Sequence, residues 1–549
     1  MSGTCPKTAD KRPGSAPWPR IIAAMTSPQI QTPDDARYLA LKARDARFDG
    51  HFFTGITSTG IYCRPVCRVR TPKRENCRFF AQAAQAERAG FRPCLRCRPE
   101  IAPRAPGLAH AGDGRVWSMQ DASSILAAQA AQLLDTPESW GETAPSVARL
   151  ARRLGISDRH LRRIFEAQWG VSPLQYLQTR RLLCAKQLLT DTALAVPDVA
   201  RLAGFASVRR FNAVFSGHYG LNPTQLRHVG ASGGPIATDS AISVKLAYRP
   251  PYDVDAMLQF FATRQIDGIE HVTLERAGKR IAKTVSASLG GKSFKGWLVV
   301  RFDTSEATAH RLDLRVSDSL REVLPVVMTR VRAMLDLDAD PQAINSVLHA
   351  DFPLGDGLRV PGGLDGFELA VRAVLGQRIT VAGARTLATR LVRAFGEAVE
   401  TPIAGLNRLF PSPSAVADAS GDALGQIGIN KQQQAALRAI ARAVLAQQLQ
   451  LHGGADVNAA LDALKAMPGV GDWTAQYIAM RALRWPDAFL AGDVALHKAL
   501  GLHNSGNPAK VALAASLAWQ PWRSYAVIRA WSGLPAAAAR RTALTADSK

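Results

Sequence analysis

The sequence predicts a multidomain α+β protein in four parts: a small cysteine-rich module, a duplicated helix-turn-helix, a strand-rich α+β segment and an all-helical carboxy-terminal domain. Three observations carry this reading. Four of the seven cysteines stand as two close pairs, Cys63 with Cys67 and Cys94 with Cys97. A pattern that begins at Gly155 recurs at Gly204. Alternating apolar residues over 241–316 then give way to an Ala/Leu-rich helical periodicity from Asp318 to Thr545.

At 549 residues the chain exceeds a single core and has room for about three to five domains. The 68 Lys+Arg against 45 Asp+Glu leave a net charge of +23, which favours a polyanionic partner, nucleic acid first and an acidic membrane surface second. No apolar run approaches a membrane span, and "IIAAM" at Ile21 is too short for a signal peptide, so the sequence predicts a cytoplasmic protein with no membrane partner. An odd, clustered set of cysteines suits metal or thiol chemistry better than a disulfide framework. Residues 1–36, with "KRPGSAPWPR", read as a disordered tail.

The cysteine module spans 37–104. Three residues separate Cys63 from Cys67, two separate Cys94 from Cys97, and twenty-six lie between the pairs. Two close thiolate pairs on separate turns meet the needs of one tetrahedral four-cysteine Zn²⁺. Cys77 is left over as a packed thiol, as are Cys5 and Cys184. A zinc module that only folds and touches phosphate is the commoner outcome of such spacing. Against it stands charge, since Cys63 to Arg98 holds ten Lys/Arg and two acids, a setting that keeps thiolates ionised and attracts DNA phosphates. "TGIYCRPVCRVR", "EN" and "AGFRPCLRCRP" resemble the amino-terminal domain of the Ada family, in which a zinc-bound cysteine accepts a methyl group from a DNA phosphotriester. The resemblance implies Cys63 as nucleophile, with Cys67, Cys94 and Cys97 as its fellow ligands, and Thr59, Arg70, Arg92 and Arg96 at the DNA. Methylation would turn one thiolate of a site carrying about two negative charges into a neutral thioether, lessening its repulsion of the DNA backbone. The expected result is an irreversible switch that tightens DNA binding.

Residues 115–229 carry the repeat. "GISDRHLRRIFEAQWGVSPLQYL" is echoed by "GFASVRRFNAVFSGHYGLNPTQL", with Phe165, Gly170 and Pro173 matching Phe215, Gly220 and Pro223. An apolar helix precedes each copy and ends at a turn glycine, the helix-turn-helix layout. One copy would be an ordinary helical bundle by default; two suit successive major grooves. The second helices should expose Arg159, Arg162 and Arg163 in one unit and Arg209, Arg210 and Asn212 in the other, side chains able to read base edges. The repeat resembles the DNA-binding domain of AraC-family activators. Residues 230–240 read as a linker.

After Cys184 no cysteine follows, so a second thiol acceptor is excluded. Strands are expected over 241–317 and helices over 318–545. In "LKAMPGVGDWTAQYIAMRAL" a glycine turn at Gly469 and Gly471 joins two helices and offers backbone N–H groups to a phosphate. Asp493 in "FLAGDVALHKAL" starts a helix, where an acid is as readily a plain N-cap, and tryptophans at helical spacing are more often core than pocket. Hairpin and acid together resemble the helix-hairpin-helix glycosylase superfamily, and "YRPPYD", "LRVPGGLDGFELAVRAVLGQ" and "WQPWRSYAVIRAW" resemble the AlkA family of 3-methyladenine DNA glycosylases. That resemblance implies Asp493 as the catalytic aspartate, its carboxylate set against the developing sugar cation, and Trp473, Tyr477 and Trp531 as the base pocket. Tryptophan at 473, where lyase-type relatives carry lysine, implies a monofunctional enzyme. The family resemblance of the hairpin also implies a monovalent cation on the carbonyls of Lys465, Met467 and Val470. Arg378 departs from the pattern, standing where the family has an apolar wedge.

The reading is therefore a small zinc module, a double helix-turn-helix, an AlkA-like N-terminal α+β subdomain and an all-α helix-hairpin-helix glycosylase domain. It predicts an alkylation sensor, transcription activator and glycosylase on one chain, a monomer partnered by double-stranded DNA and RNA polymerase. The rival is a pure transcription regulator with structural zinc and a silent rear half.

Overall fold

A computed structural model describes residues 32–104, 119–136, 145–230, 241–275, 278–302, 310–502 and 504–533. Residues 1–31 of the expected tail and 231–240 of the expected linker lie outside these. The tail assignment runs too far, because α1 (Pro33–Ala43) starts within it. Thr32 and Asp35 form a capping box around Pro33, a local start signal that outweighs the polar composition.

The cysteine module holds strands β1 (Phe53–Ile56), β2 (Ile61–Cys63) and β3 (Cys77–Phe80), helix α2 (Ala83–Arg88) and strand β4 (Arg92–Pro93), in sheet order β3-β1-β2-β4. Gly60, at φ 66°, turns the chain from β1 into β2. Phe53, Tyr62 and Phe91 form a small core together with Leu183 from the next domain.

That domain comprises α3 (Met119–Asp135), α4 (Val147–Arg153), α5 (Asp158–Trp169), α6 (Pro173–Asp191), α7 (Val196–Leu202), α8 (Val208–Tyr219) and α9 (Pro223–Gly230). The repeat is explained residue by residue. Ser157 and Ser207 cap α5 and α8, Gly170 and Gly220 end them at φ 68° and 67°, and Pro173 and Pro223 open the following helices. Helix α6 is a spine: Tyr176 and Leu177 enter the first unit's core, Leu183 the cysteine module, and Leu182, Leu188 and Leu189 the second unit's core. Each such leucine buried fully is worth about 1.5–3 kcal/mol.

The strand-rich segment holds β5 (Ala241–Ala247), α10 (Val254–Arg264), β6 (Glu270–Thr273), β7 (Arg280–Leu289), β8 (Lys292–Phe302) and β9 (Arg311–Ser317), an antiparallel sheet in the order β5-β9-β8-β7-β6. Two expectations shift. Helix α10 interrupts the run of strands, and α11 (Leu324–Met334) belongs with the sheet, since Leu324, Val327 and Val331 share a core with Val244, Leu298 and Leu314. Helical periodicity beyond 318 identifies the element type, not the core that it joins.

The remaining helices are α12 (Pro341–Leu348), α13 (Gly366–Leu375), α14 (Val381–Phe395), α15 (Pro413–Asp418), α16 (Gly421–Gln426), α17 (Lys431–Leu445), α18 (Val457–Lys465), α19 (Asp472–Arg481), α20 (Val494–Ala499), α21 (Pro508–Ala515) and a last one over 523–533. They enclose a separate core in which α13, α17 and α19 are central. Among the described residues no helix is long and apolar enough to cross a membrane.

Candidate active sites and DNA interface

Cys63 ends β2, Cys67 lies in the turn that follows, and Cys94 and Cys97 flank the turn after β4. The four thiols are free and buried, and their sulfurs all lie within 4.8 Å of one another. A tetrahedral Zn²⁺ with 2.3 Å bonds requires sulfurs about 3.7 Å apart, so an all-thiol set this close fits that ion. Arg64 underpins the cluster. Its Nε donates to Asp49 Oδ1 at 2.8 Å, its Nη1 to the Cys97 carbonyl at 2.9 Å and its backbone N–H to Cys97 Sγ at 3.3 Å. Contact with Cys63 first, and a backbone amide after it (Val69 for Cys67, Cys97 for Cys94), hold the Cys67 and Cys94 thiols below their ordinary value. The strongest influences on Cys63 are the other three sulfurs, with contact to Cys67 and then Cys94 pushing its thiol up. Burial does not single it out, since Cys63 is 3% exposed and Cys67 4%. Thr59, Arg70 and Arg96 are exposed around the cluster. Arg92 is exposed too, but its Nη1 donates to the Tyr219 carbonyl at 3.1 Å, within the chain. Cys77 is buried and donates to the Lys73 carbonyl.

On the helix-turn-helix pair, Arg159, Arg162 and Arg163 on α5 and Arg209, Arg210 and Asn212 on α8 are all exposed. Phe165 and Phe215 anchor the opposite faces in their cores.

In the carboxy-terminal domain, Asp493 is the N-cap that its sequence position allowed, and its carboxylate has two further partners. It caps α20 through Oδ1, which accepts the Leu496 N–H at 2.6 Å, and the same carboxylate accepts two indole N–H groups, Trp531 Nε1 on Oδ1 at 3.0 Å and Trp473 Nε1 on Oδ2 at 2.9 Å. Trp473, Tyr477, Trp531 and Asp493 line one cavity of about 750 Å³. Trp473, Tyr477 and Arg481 stand four residues apart along α19. Trp473 stacks on Tyr477 at 5.2 Å and 16°, and the Arg481 guanidinium lies 5.2 Å from the same ring. Trp531 lies 6.5 Å from Tyr477, so three aromatic rings border the same cavity. Burial pushes the Tyr477 phenol up, but Arg481 and Arg264 outweigh it and hold the group below its ordinary value.

The hairpin between α18 and α19 is tight at Gly469, where φ is 77° and a Cβ would meet the Gln432 carbonyl at 2.9 Å. Gly471 faces open space, so an incoming phosphate meets no side chain there. Sequence reasoning missed Gln377, whose Nε2 donates to the Gly469 carbonyl and to Thr474 Oγ1, each at 2.9 Å; its one signal was its place beside Arg378 in "LGQRIT". Arg378 is exposed at φ 58°.

Comparison with known proteins matches each part. The chain matches the family described as the metal binding domain of Ada over residues 36–100, a helix-turn-helix domain over 150–228, the AlkA N-terminal domain over 243–365 and the HhH-GPD superfamily of base excision DNA repair proteins over 371–524. DNA-3-methyladenine glycosylase 2 of Escherichia coli is 32% identical over 287 residues, 52% of this chain and 95% of that one. The bifunctional transcriptional activator/DNA repair enzyme Ada of Escherichia coli is 32% identical over 197 residues, 36% of this chain and 50% of that one. The probable bifunctional transcriptional activator/DNA repair enzyme AlkA of Mycobacterium tuberculosis is 35% identical over 509 residues, 90% of this chain and 96% of that one. With all four domains present in that order and that relative matched almost end to end, the chain belongs to the family of AlkA proteins that join an Ada-type metal-binding domain and a helix-turn-helix to a helix-hairpin-helix glycosylase.

Proposed function

We propose that the chain releases alkylated purines from DNA by hydrolysis at Asp493 and accepts methyl groups from DNA phosphotriesters, once per molecule, at Cys63. The observation that carries the first activity is the double indole donation to the Asp493 carboxylate at the wall of an aromatic cavity. Two neutral indole donors and a backbone N–H aim the carboxylate without pairing it with a charged side chain, so it can face the positive charge that develops at C1′ as the glycosidic bond breaks. The bonding electron pair leaves with the cationic purine, which departs neutral. Water adds at C1′, its proton passing to Asp493 or solvent. Trp473 and Trp531 favour a cationic base over a neutral one by about 0.5–2 kcal/mol each. Tryptophan at 473 offers no amine for a Schiff base, which supports a monofunctional glycosylase.

In the front module Cys63, Cys67, Cys94 and Cys97 would hold Zn²⁺, which supplies the charge that keeps their sulfurs deprotonated. A backbone N–H bond draws electron density from a sulfur. The Arg64 N–H bonds Cys97, and the Val69 and Cys97 amides act electrostatically on Cys67 and Cys94, which favours Cys63 as the attacking group. Its S–C bond forms as the methyl C–O bond breaks, and the phosphodiester leaves as a stable anion. The helix-turn-helix pair would then carry the methylated protein to promoters and bring in RNA polymerase. The same reading takes the protein as a cytoplasmic monomer with a monovalent cation on the hairpin carbonyls of Lys465, Met467 and Val470.

The test is release of 3-methyladenine from methylated DNA. Asp493→Asn should lower it by about 10²–10⁴-fold while DNA binding persists. No release by the unsubstituted chain would leave the rival regulator standing. For Cys63, peptide mass spectrometry after incubation with methylated DNA should find the methyl group there, and a methyl on another cysteine would refute the assignment.

A further inference from the structure

The two glycines that match across the helix-turn-helix repeat share a neighbour that the repeat itself does not predict. Helix α5 ends at Gly170 and helix α8 at Gly220, and each end is covered by the same short stretch of the cysteine module, residues 85–92. Gln85 Nε2 donates to the Trp169 carbonyl at 3.0 Å, Arg88 Nη1 to the Gly170 carbonyl at 2.7 Å and Arg92 Nη1 to the Tyr219 carbonyl at 3.1 Å. These carbonyls belong to the group that a helix leaves without internal partners at its C-terminus, and the two arginines bring positive charge to the negative ends of both dipoles. The fit is close. A Cβ on Gly170 would lie 2.6 Å from Gln85 Nε2, and one on Gly220 would lie 2.8 Å from Arg92 Nη1. The Gln85 amide is oriented for the task, because its Oε1 already accepts the Ala81 and Gln82 N–H groups. Between these contacts Glu87 ties the stretch down. It is buried, it accepts Tyr62 Oη at 2.9 Å and Thr179 Oγ1 at 2.7 Å, and it lies 3.0 Å from His218 Nε2 of α8.

We propose that Gln85, Arg88 and Arg92 form a clamp that fixes the two recognition helices relative to one another, so that the pair reads two half-sites only at one spacing. The three are positioning residues: they touch helix ends, not DNA. The proposal rests on the reading of α5 and α8 as recognition helices, and it gives Arg92 a role different from the phosphate contact implied by its family position.

The test uses the full chain and, as probe, the duplex that the unsubstituted protein enriches from a random library, together with the same duplex carrying one or two extra base pairs between its halves. The unsubstituted chain should prefer the original spacing by about tenfold or more. Gln85→Ala/Arg88→Ala/Arg92→Ala, checked for one zinc per chain, should reduce that preference to within about threefold while leaving the salt dependence of binding unchanged. Arg92→Ala alone alters an exposed side chain and gives the same reading, about threefold, if the triple variant loses its zinc. Two results overturn the clamp. One is an unchanged spacing preference. The other is a uniform loss on all duplexes with the salt slope falling by about 0.9 per arginine removed, which is the signature of phosphate contacts. Failure to enrich any sequence would overturn the recognition-helix reading itself, and the clamp with it.

Discussion

The cysteine cluster and the Asp493 pocket are both buried constellations at the end of a short element, yet their members declare themselves differently. Around Asp493 unlike groups converge on one carboxylate, so geometry alone marks the residue at the centre. In the cluster four like groups surround a common centre and are equally buried, so the geometry marks a metal. Backbone N–H groups, the Arg64 N–H on Cys97 first among them, help to separate one thiol from another. A mixed site states its chemistry in its shape, whereas a homogeneous one states it in its hydrogen bonds.

The largest effect expected from breaking this contrast is metal removal. The cysteine module has four short strands and a core of a few side chains, so about 10–16 kcal/mol of zinc binding would be its principal source of folding energy. A chelator should open residues 33–104 to protease while base release from methylated DNA continues. Protease resistance that survives zinc loss would show that the module stands on its own packing.

Next in size is the joint between the two regions. Arg249 is fully buried and donates to the carbonyls of Asp49, Pro103 and Arg104 on one side and of Asp338 and Ala339 on the other. Burial depresses its guanidinium pKa to about 10. Arg249→Met leaves these buried acceptors unpaired and should lower stability by about 3 kcal/mol or more, read as a fall in thermal midpoint. A fall confined to the cysteine module, with the glycosylase domain unmoved, would show that the joint serves one side only.

What was legible in the sequence follows from the same contrast. Cysteine spacing, the repeat and the hairpin glycines are local patterns, and each reports a local structure directly. The indole donors to Asp493 come from positions 473 and 531, which only the fold brings together, so their role came from family resemblance and their geometry from the structure. Arg249 was in plain sight in "YRPPYD", but nothing in that stretch indicates a partner at Pro103. Gln377, and the Tyr219 carbonyl as a partner of Arg92, were hidden for the same reason: a long polar side chain gives no periodic signal of what it will reach. Domain limits blurred where one element serves two cores, as α6 does, or joins an earlier one, as α11 does.

The two indoles offer a finer test of the mixed site. Trp473→Phe and Trp531→Phe each keep an aromatic face and remove one donor from the carboxylate, which should slow base release by about 10-fold to 100-fold each. Because both act through Asp493, the double variant should lose less than the product of the two single losses. A fully multiplicative loss would mean that the rings act on the base independently and not through the acid.

The smallest effect concerns Arg378. Its φ of 58° costs a non-glycine residue about 1 kcal/mol or more, and the turn that imposes it is held to the hairpin by the neighbouring Gln377. Ile379 and Val381, each 44% exposed, put apolar surface beside the arginine, so the tip holds a wedge's bulk and a cation's charge together. If bulk is what matters, Arg378→Leu should change single-turnover release from duplex DNA by no more than about threefold, and Arg378→Ala should slow it by about three- to tenfold. The Ala variant should lose less on a substrate with a mismatch opposite the damaged base, where flipping is already easier. If charge is what matters, Leu and Ala should be equally slow and both should lower the salt slope of binding by about 0.9. The comparison of these two variants on paired and mismatched DNA therefore separates filling the gap from holding the backbone, at a position where the side chain can do either.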